Sequence, residues 1–185
     1  MKKIFVQNSV GGSGKDTWAS LLNKYIPTYK YSIVDLPKEA AKVLGWDGGK
    51  TEKDRKFLSD VMDLSTDYND APFKDVLSLV TDFKNSKDFD ECDVLIIDMR
   101  DPKDIARAVE TFGAETILIR NPNVRKIESN HADANVENYE YDYIIENDGT
   151  LEQIERVAKL FICDVICGEH IPEKDKPFTL TCSKY

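Results

Sequence analysis

The chain has little that would carry it to a membrane, a nucleic acid or a zinc ion. No apolar run among its 185 residues is long enough to span a bilayer. It has no basic tract, and 34 acidic residues against 25 basic ones leave a net charge of −9. That balance argues against a surface built to neutralise a phosphate backbone and disfavours a DNA- or RNA-associated ATPase, yet leaves room for a small phosphorylated ligand, which needs only a few local cations. There are two histidines, His131 and His170, and four cysteines, Cys92, Cys163, Cys167 and Cys182. Cys163 and Cys167 lie one helical turn apart, but no second pair completes a zinc site, so buried or incidental thiols in a reducing compartment are expected. Met1 to Gln7 lacks the length and cleavage pattern of a signal peptide, and a cytoplasmic protein is expected.

One stretch stands out against this background: Ser9-Val10-Gly11-Gly12-Ser13-Gly14-Lys15-Asp16-Thr17. It follows the apolar Ile4-Phe5-Val6 and precedes the helical spacing of Trp18, Leu21, Leu22 and Tyr25. Strand, glycine-rich loop and helix form the setting of a P-loop, in which glycines let several backbone N–H groups face one anion and the helix adds its positive end. Lys15 is then the cation that reaches the terminal phosphates of a nucleoside triphosphate. Two positions depart from the pattern. Ser9 stands where the first glycine belongs. Asp16 stands where a Ser or Thr would hold Mg²⁺, leaving Asp16 itself, or Thr17, as the metal-side group.

Further along, apolar runs alternate with helical spacing. Strands are expected at Lys3–Gln7, Tyr29–Leu36, Val94–Asp98, Thr116–Arg120 and Tyr141–Ile145. Helices are expected from Lys15 to Tyr25, from Pro37 to Leu44, after a Thr51/Asp54 capping box, around Phe73 to Phe83, over Pro102–Phe112, and from Leu151 to Ile166 behind a Thr150/Gln153 box. This alternation predicts an α/β fold whose core is a parallel sheet of about five strands. Ligands of such sheets bind beyond the carboxyl ends of the strands. That rule gathers the glycine loop, Asp35, Asp98 with Arg100, and Arg120 at one edge. Asp98 has an ordinary alternative role, capping the helix that starts at Pro102. Arg100 has one in an ion pair with Asp98 or Asp101.

With these motifs the chain resembles the nucleoside-monophosphate-kinase-like branch of P-loop kinases, above all the phage deoxynucleoside monophosphate kinases, with dephospho-CoA kinases further off. The likeness is carried by Ser13-Gly14-Lys15-Asp16-Thr17, by Ile97-Asp98-Met99-Arg100 with Gly113 to Arg120, and by Tyr143 to Gln153. It covers roughly residues 3–35 and 92–160. It implies a three-layer P-loop kinase fold over residues 1–167, with an acceptor-binding helical region at about 37–90, a lid at about 121–140 and a tail at 168–185. The implied activity is transfer of phosphate from ATP, with Mg²⁺, to a (deoxy)nucleoside monophosphate. Dephospho-CoA or another small phosphorylated acceptor, or a nucleotide-binding regulatory module without turnover, are the alternatives.

The resemblance also distributes roles. Gly11, Gly12, Ser13, Gly14, Lys15, Asp16 and Thr17 would hold the ATP phosphates. Lys15, Asp98 and Arg100 would be catalytic, with Asp16, Thr17 and Asp98 on the metal side. Arg120, Asn147, Asp148 and Gly149 would lie against adenine. Asp35, Lys38, Arg55 and Arg100 would meet the acceptor, and Arg125, Lys126 and His131 would belong to the lid. Small nucleotides are the expected partners, with neither nucleic acid nor membrane.

Overall fold

The computed structural model describes residues 2–124, 136–169, 171–172 and 175–180. The chain separates into two compact units, one formed by residues 1–30 and 90–185, the other by residues 31–89.

The first unit is built on a sheet of strand order β2-β3-β1-β4-β5-β6. Its strands are β1 (Lys3–Asn8), β2 (Thr28–Ser32), β3 (Val94–Asp98), β4 (Glu115–Arg120), β5 (Tyr143–Glu146) and β6 (Thr179–Leu180). The first five form the parallel sheet foreseen from the alternating pattern. β6 adds a short antiparallel strand on β5, pairing Thr179 with Ile144. β1 is flanked by β3 and β4, with Gln7 opposite Asp98 and Asn8 opposite Leu118. All five residues of β3 are buried, as a continuous apolar run between two covered faces requires.

Side chains alternate across the sheet. Phe5, Ile96, Ile117, Ile119 and Ile145 share one core with Trp18 and Leu22 of α1 (Lys15–Tyr25), and with Ile154, Ala158 and Phe161 of the C-terminal helix Leu151–Phe161. Phe161 sits at its centre, with ring centroids 5.6 Å from Phe5, 5.4 Å from Trp18, 5.1 Å from Tyr143 and 5.3 Å from Phe178. The intervening residues Ile4, Val6, Leu95, Ile97 and Leu118 are buried as well. The helix Pro102–Phe112 packs on β4 and buries Ile105, Ala108 and Phe112.

The second unit holds α2 (Asp35–Val43), α3 (Glu52–Asn69) and α4 (Ala71–Asn85), which pack on one another. Ala41, Phe73, Val76, Val80 and Phe83 are buried there, while α3 has no fully buried residue. Thr51 and Asp54 close the expected capping box. In chain order Pro102–Phe112 is then α5 and Leu151–Phe161 is α6.

Two expectations are corrected. β2 ends at Ser32, four residues before Leu36. Asp35 is therefore not a strand-end carboxylate but the first residue of α2, where its Oδ2 accepts from the Ser32 amide at 3.0 Å. An acidic residue suits the positive end of a helix, and its bond back to the Ser32 amide turns the chain there. The last helix does not run evenly to Ile166: after Phe161 it widens into a π-helical turn, Ile162–Ile166, closed by the Cys167 amide on the Ile162 carbonyl. From that turn Asp164 accepts from the Ile171 amide and pairs with Lys176 at 2.9 Å, both side chains nearly inaccessible. The buried pair ties down the chain that continues into β6. The stretch from Gly168 reads in sequence as a terminal strand or loose tail, with weak strand character at Phe178 to Thr181, and β6 falls within it.

Candidate functional site

β1 and β3 are neighbours, but the chain leaves their carboxyl ends in opposite directions, β1 across β3 towards β2 and β3 across β1 towards β4. Such a switch point opens a crevice beyond the strand ends, and the glycine loop and Asp98 both lie there.

The loop turns tightly, the Ser13 amide donating to the Val10 carbonyl at 3.1 Å. Gly12 and Gly14 take left-handed backbone angles, φ 89° and 97°. Gly14 is the N-cap of α1, and no side chain caps the helix. Its first-turn amides, which have no partner within the helix, are the groups an anion would meet. Ser9 does not have positive φ: among the described residues Asp70 is the only non-glycine that does. The curve begins after Ser9, which explains how a Cβ is accommodated where the pattern has glycine.

Lys15 and Asp98 meet here. The Lys15 ammonium lies 2.5 Å from Asp98 Oδ2 and 3.2 Å from Asp16 Oδ1. A second ammonium, Lys30 from β2, contacts the same two oxygens, Asp16 Oδ1 at 2.6 Å and Asp98 Oδ2 at 2.9 Å. Gln7 Nε2 donates to the other oxygen of Asp98 at 2.6 Å. Asp98 is nearly buried, and these three donors compensate its lost hydration. It does not cap α5; Asp101 does, accepting from the Lys103 amide. The Lys30 hydrogen bond holds the Asp16 carboxyl below the usual carboxylate range, burial opposing and Lys15 assisting. Burial pulls Lys30 down, but its bonds to Asp16 and Asp98 prevail, and its ammonium is held above the ordinary lysine value.

No protein-family model and no curated protein matches the chain. Solved structures do. Shikimate kinase from Aquifex aeolicus is 16% identical, with 86% of this chain and 95% of that one aligned and a TM-score of 0.45. A sugar kinase from Janibacter sp. HTCC2649 is 13% identical over 92% of this chain and 100% of that one, with a TM-score of 0.49. The APS kinase of Mycobacterium tuberculosis is 19% identical over 86% and 96%, with a TM-score of 0.38.

Around the crevice, the remaining expected residues divide. Arg100 follows β3, and its carbonyl accepts from Asn8 Nδ2 at 3.2 Å. Asn147 joins the loop directly: its amide nitrogen donates to Ser13 O at 2.8 Å, while its backbone N–H donates to Arg120 O at 2.7 Å. Arg120 itself pairs across the strands with Glu146 at 2.9 Å. Asp148 and Gly149 are exposed at the start of α6. A Cβ on Gly149 would fall 2.2 Å from Gln153 Oε1, so this glycine makes room for the capping box that closes on the Thr150 amide. Thr17 is exposed on the first turn of α1. In the helical unit, Asp35 pairs with Lys38 at 2.8 Å and Arg55 is exposed near the start of α3. Arg125, Lys126 and His131 lie outside the described residues.

Sequence reasoning missed Gln7, Asn8, Lys30 and Tyr141. Asn8 is buried under the loop, its Oδ1 accepting from the Ser9 amide and its Nδ2 donating to the Tyr141 hydroxyl at 2.8 Å. That hydroxyl donates in turn to Val136 O at 2.7 Å, and burial pushes its pKa up to about 12. Two polar residues closing a buried strand, Gln7 and Asn8, were a usable signal. Lys30, between tyrosines on an edge strand, offered none.

Could the crevice hold Mg²⁺? Asp16 and Asp98 both reach one ammonium, so a single cation can be shared between them. Among the described residues no group of three or more His, Cys, Asp or Glu converges on a metal. Two carboxylates, with the other positions left to phosphate and water, fit magnesium's habit at nucleotide sites.

Proposed function

We propose that this protein transfers the terminal phosphoryl group of ATP to a (deoxy)nucleoside monophosphate. The observation that carries the reading is the Lys15–Asp98 contact: a lysine on a glycine loop, at an uncapped helix start, meets a buried strand-end carboxylate at the β1/β3 switch point. Phosphoryl transfer needs placement and charge neutralisation more than covalent help from the protein. The amides of Gly12 to Thr17 and the Lys15 ammonium would bind the β- and γ-phosphates. Arg100, with its planar fork, would hold the acceptor phosphate. Asp16 and Asp98 would hold Mg²⁺, directly or through water, and the ion supplies charge neutralisation at the phosphates.

In the transfer, an oxygen of the acceptor phosphate bonds to the γ-phosphorus and the bond to the β–γ bridging oxygen breaks, releasing ADP. A phosphate acceptor is already largely ionised at neutral pH and needs no base. Asp98 is therefore asked to hold Mg²⁺ and not to take a proton, with Gln7 fixing its other oxygen. Asn147 would steady the loop and present its neighbours to the base. Asp35, Lys38 and Arg55 are proposed for acceptor recognition, and Arg125 and His131 for the lid.

The test is a coupled ADP-release assay over a panel of ribo- and deoxynucleoside monophosphates and dephospho-CoA, with Lys15→Ala alongside. Turnover of at least one nucleotide, largely abolished in the variant, is expected. ATP binding without transfer to any acceptor would instead identify a regulatory nucleotide-binding module.

A further inference from the structure

Lys15 and Lys30 contact the same two carboxylate oxygens, Asp16 Oδ1 and Asp98 Oδ2. The four groups form a ring of alternating charge with a formal sum of zero. Lys15 belongs to the glycine loop and has an evident destination in a phosphate. Lys30 comes from another element, β2, and lies outside every motif of the chain. Its side chain is one-third exposed and that of Asp16 is three-quarters exposed, so both can exchange partners without unpacking the core.

We propose that Lys30 is an internal counter-cation that occupies the place of a divalent metal between Asp16 and Asp98 in the nucleotide-free protein, making metal entry depend on nucleotide. The inference rests on the nucleotide-binding reading given above. A bare divalent ion would find two carboxylates here, both already neutralised, and no third acidic or imidazole ligand among the described residues. It would have to displace an ammonium and leave it beside the new positive charge. A metal–nucleotide complex removes both obstacles: its phosphates complete the metal's oxygen shell and give the released ammonium an anionic partner. Lys30 thereby keeps the two carboxylates from repelling each other while the site is empty of nucleotide, and keeps them from collecting metal alone.

The proposal predicts effects of opposite sign for one substitution. Mn²⁺ serves as the probe, its free concentration followed by electron paramagnetic resonance in nucleotide-free protein. Lys30→Met, and Lys30→Gln as a second neutral variant, should bind Mn²⁺ about fivefold more tightly than wild type, the size expected from relieving the part-exposed ion pairs of Lys30 with Asp16 and Asp98. Lys30→Arg should stay near wild type, and adding Asp16→Asn to Lys30→Met should cancel the gain. Calorimetric affinity for Mg·ATP should fall in both neutral variants. Equal Mn²⁺ binding by wild type and both neutral variants, or a gain that survives Asp16→Asn, would overturn the role of Lys30. The Mn²⁺ titration uses no nucleotide, so it decides that role even if ATP fails to bind, a result that would count against the proposed function alone.

Discussion

The side-chain amide of Asn147 donates to the carbonyl oxygen of Ser13 at 2.8 Å, and this places it against the hydrogen face of Gly14. A Cβ built on Gly14 would lie 2.2 Å from Asn147 Nδ2, closer than atoms can approach. The loop after β1 is thus gripped by the loop after β5, and Gly14 is held to glycine by its left-handed φ of 97° and by its neighbour. Gly14→Ala is expected to cost about 1–2 kcal/mol for the backbone angle alone, with the clash added. In an Asn147→Ala background the clash should vanish and the backbone cost remain. Chemical denaturation of the four proteins of this cycle measures the difference, and an equal penalty in both backgrounds would refute the contact's role.

Ser9 makes the opposite prediction. Its backbone is not left-handed, and its hydroxyl is buried without a hydrogen-bond partner among the described residues. Restoring the missing glycine by Ser9→Gly should therefore lower stability, by roughly 0.5–1 kcal/mol relative to Ser9→Ala, because glycine loses more chain entropy on folding. Ser9→Ala should match or exceed wild type, since it removes an unsatisfied buried group. ATP affinity should hardly change in either. A marked gain in affinity for Ser9→Gly would show that the loop does need glycine there.

Asp16 should leave an acid signature. Its folded-state pKa lies below the ordinary 3.8, chiefly through the Lys30 hydrogen bond. The stability it contributes is complete above that ordinary value and is lost as pH falls through the depressed folded value. Asp16→Asn should therefore be slightly less stable than wild type at neutral pH, with the gap closing below about pH 4. The pair is solvent-exposed on the Asp16 side, so the gap should stay within about 1 kcal/mol and shrink with added salt. Thermal melts across pH test both trends; a gap that widens in acid would contradict them.

Tyr141 should leave an alkaline one. Its phenol, raised to about 12 by burial, is favoured in the neutral form by folding. That contribution is complete below the ordinary value of 10 and is lost as pH climbs from there to about 12. Ultraviolet titration should show one late phenol that disappears in Tyr141→Phe. The same substitution strips Asn8 of a partner beneath the loop and should cost about 1–3 kcal/mol. Wild-type-like stability of Tyr141→Phe would show that Asn8 finds its partner elsewhere.

The parallel core was legible because its cause is local. Ile4-Phe5-Val6 and Val94 to Ile97 are continuous apolar runs, and Thr51 with Asp54, Thr150 with Gln153, and Gly113 are start and stop signals acting within a turn. Asp35 failed for the same local reason, a helix-start preference that outweighed the extended pattern before it. By itself, then, the sequence determined the order of strands and helices, the glycine loop with Lys15, and Asp98 at a strand end. Only the tertiary structure decided what these groups face. Gln7 stands opposite Asp98, Lys30 is shared with Asp16, and Asn147 closes on Ser13, through pairings that span up to 134 positions of the chain. Such pairings follow from strand order and register, and these are settled by burying both faces of the whole sheet at once, an energy that no short stretch of residues carries.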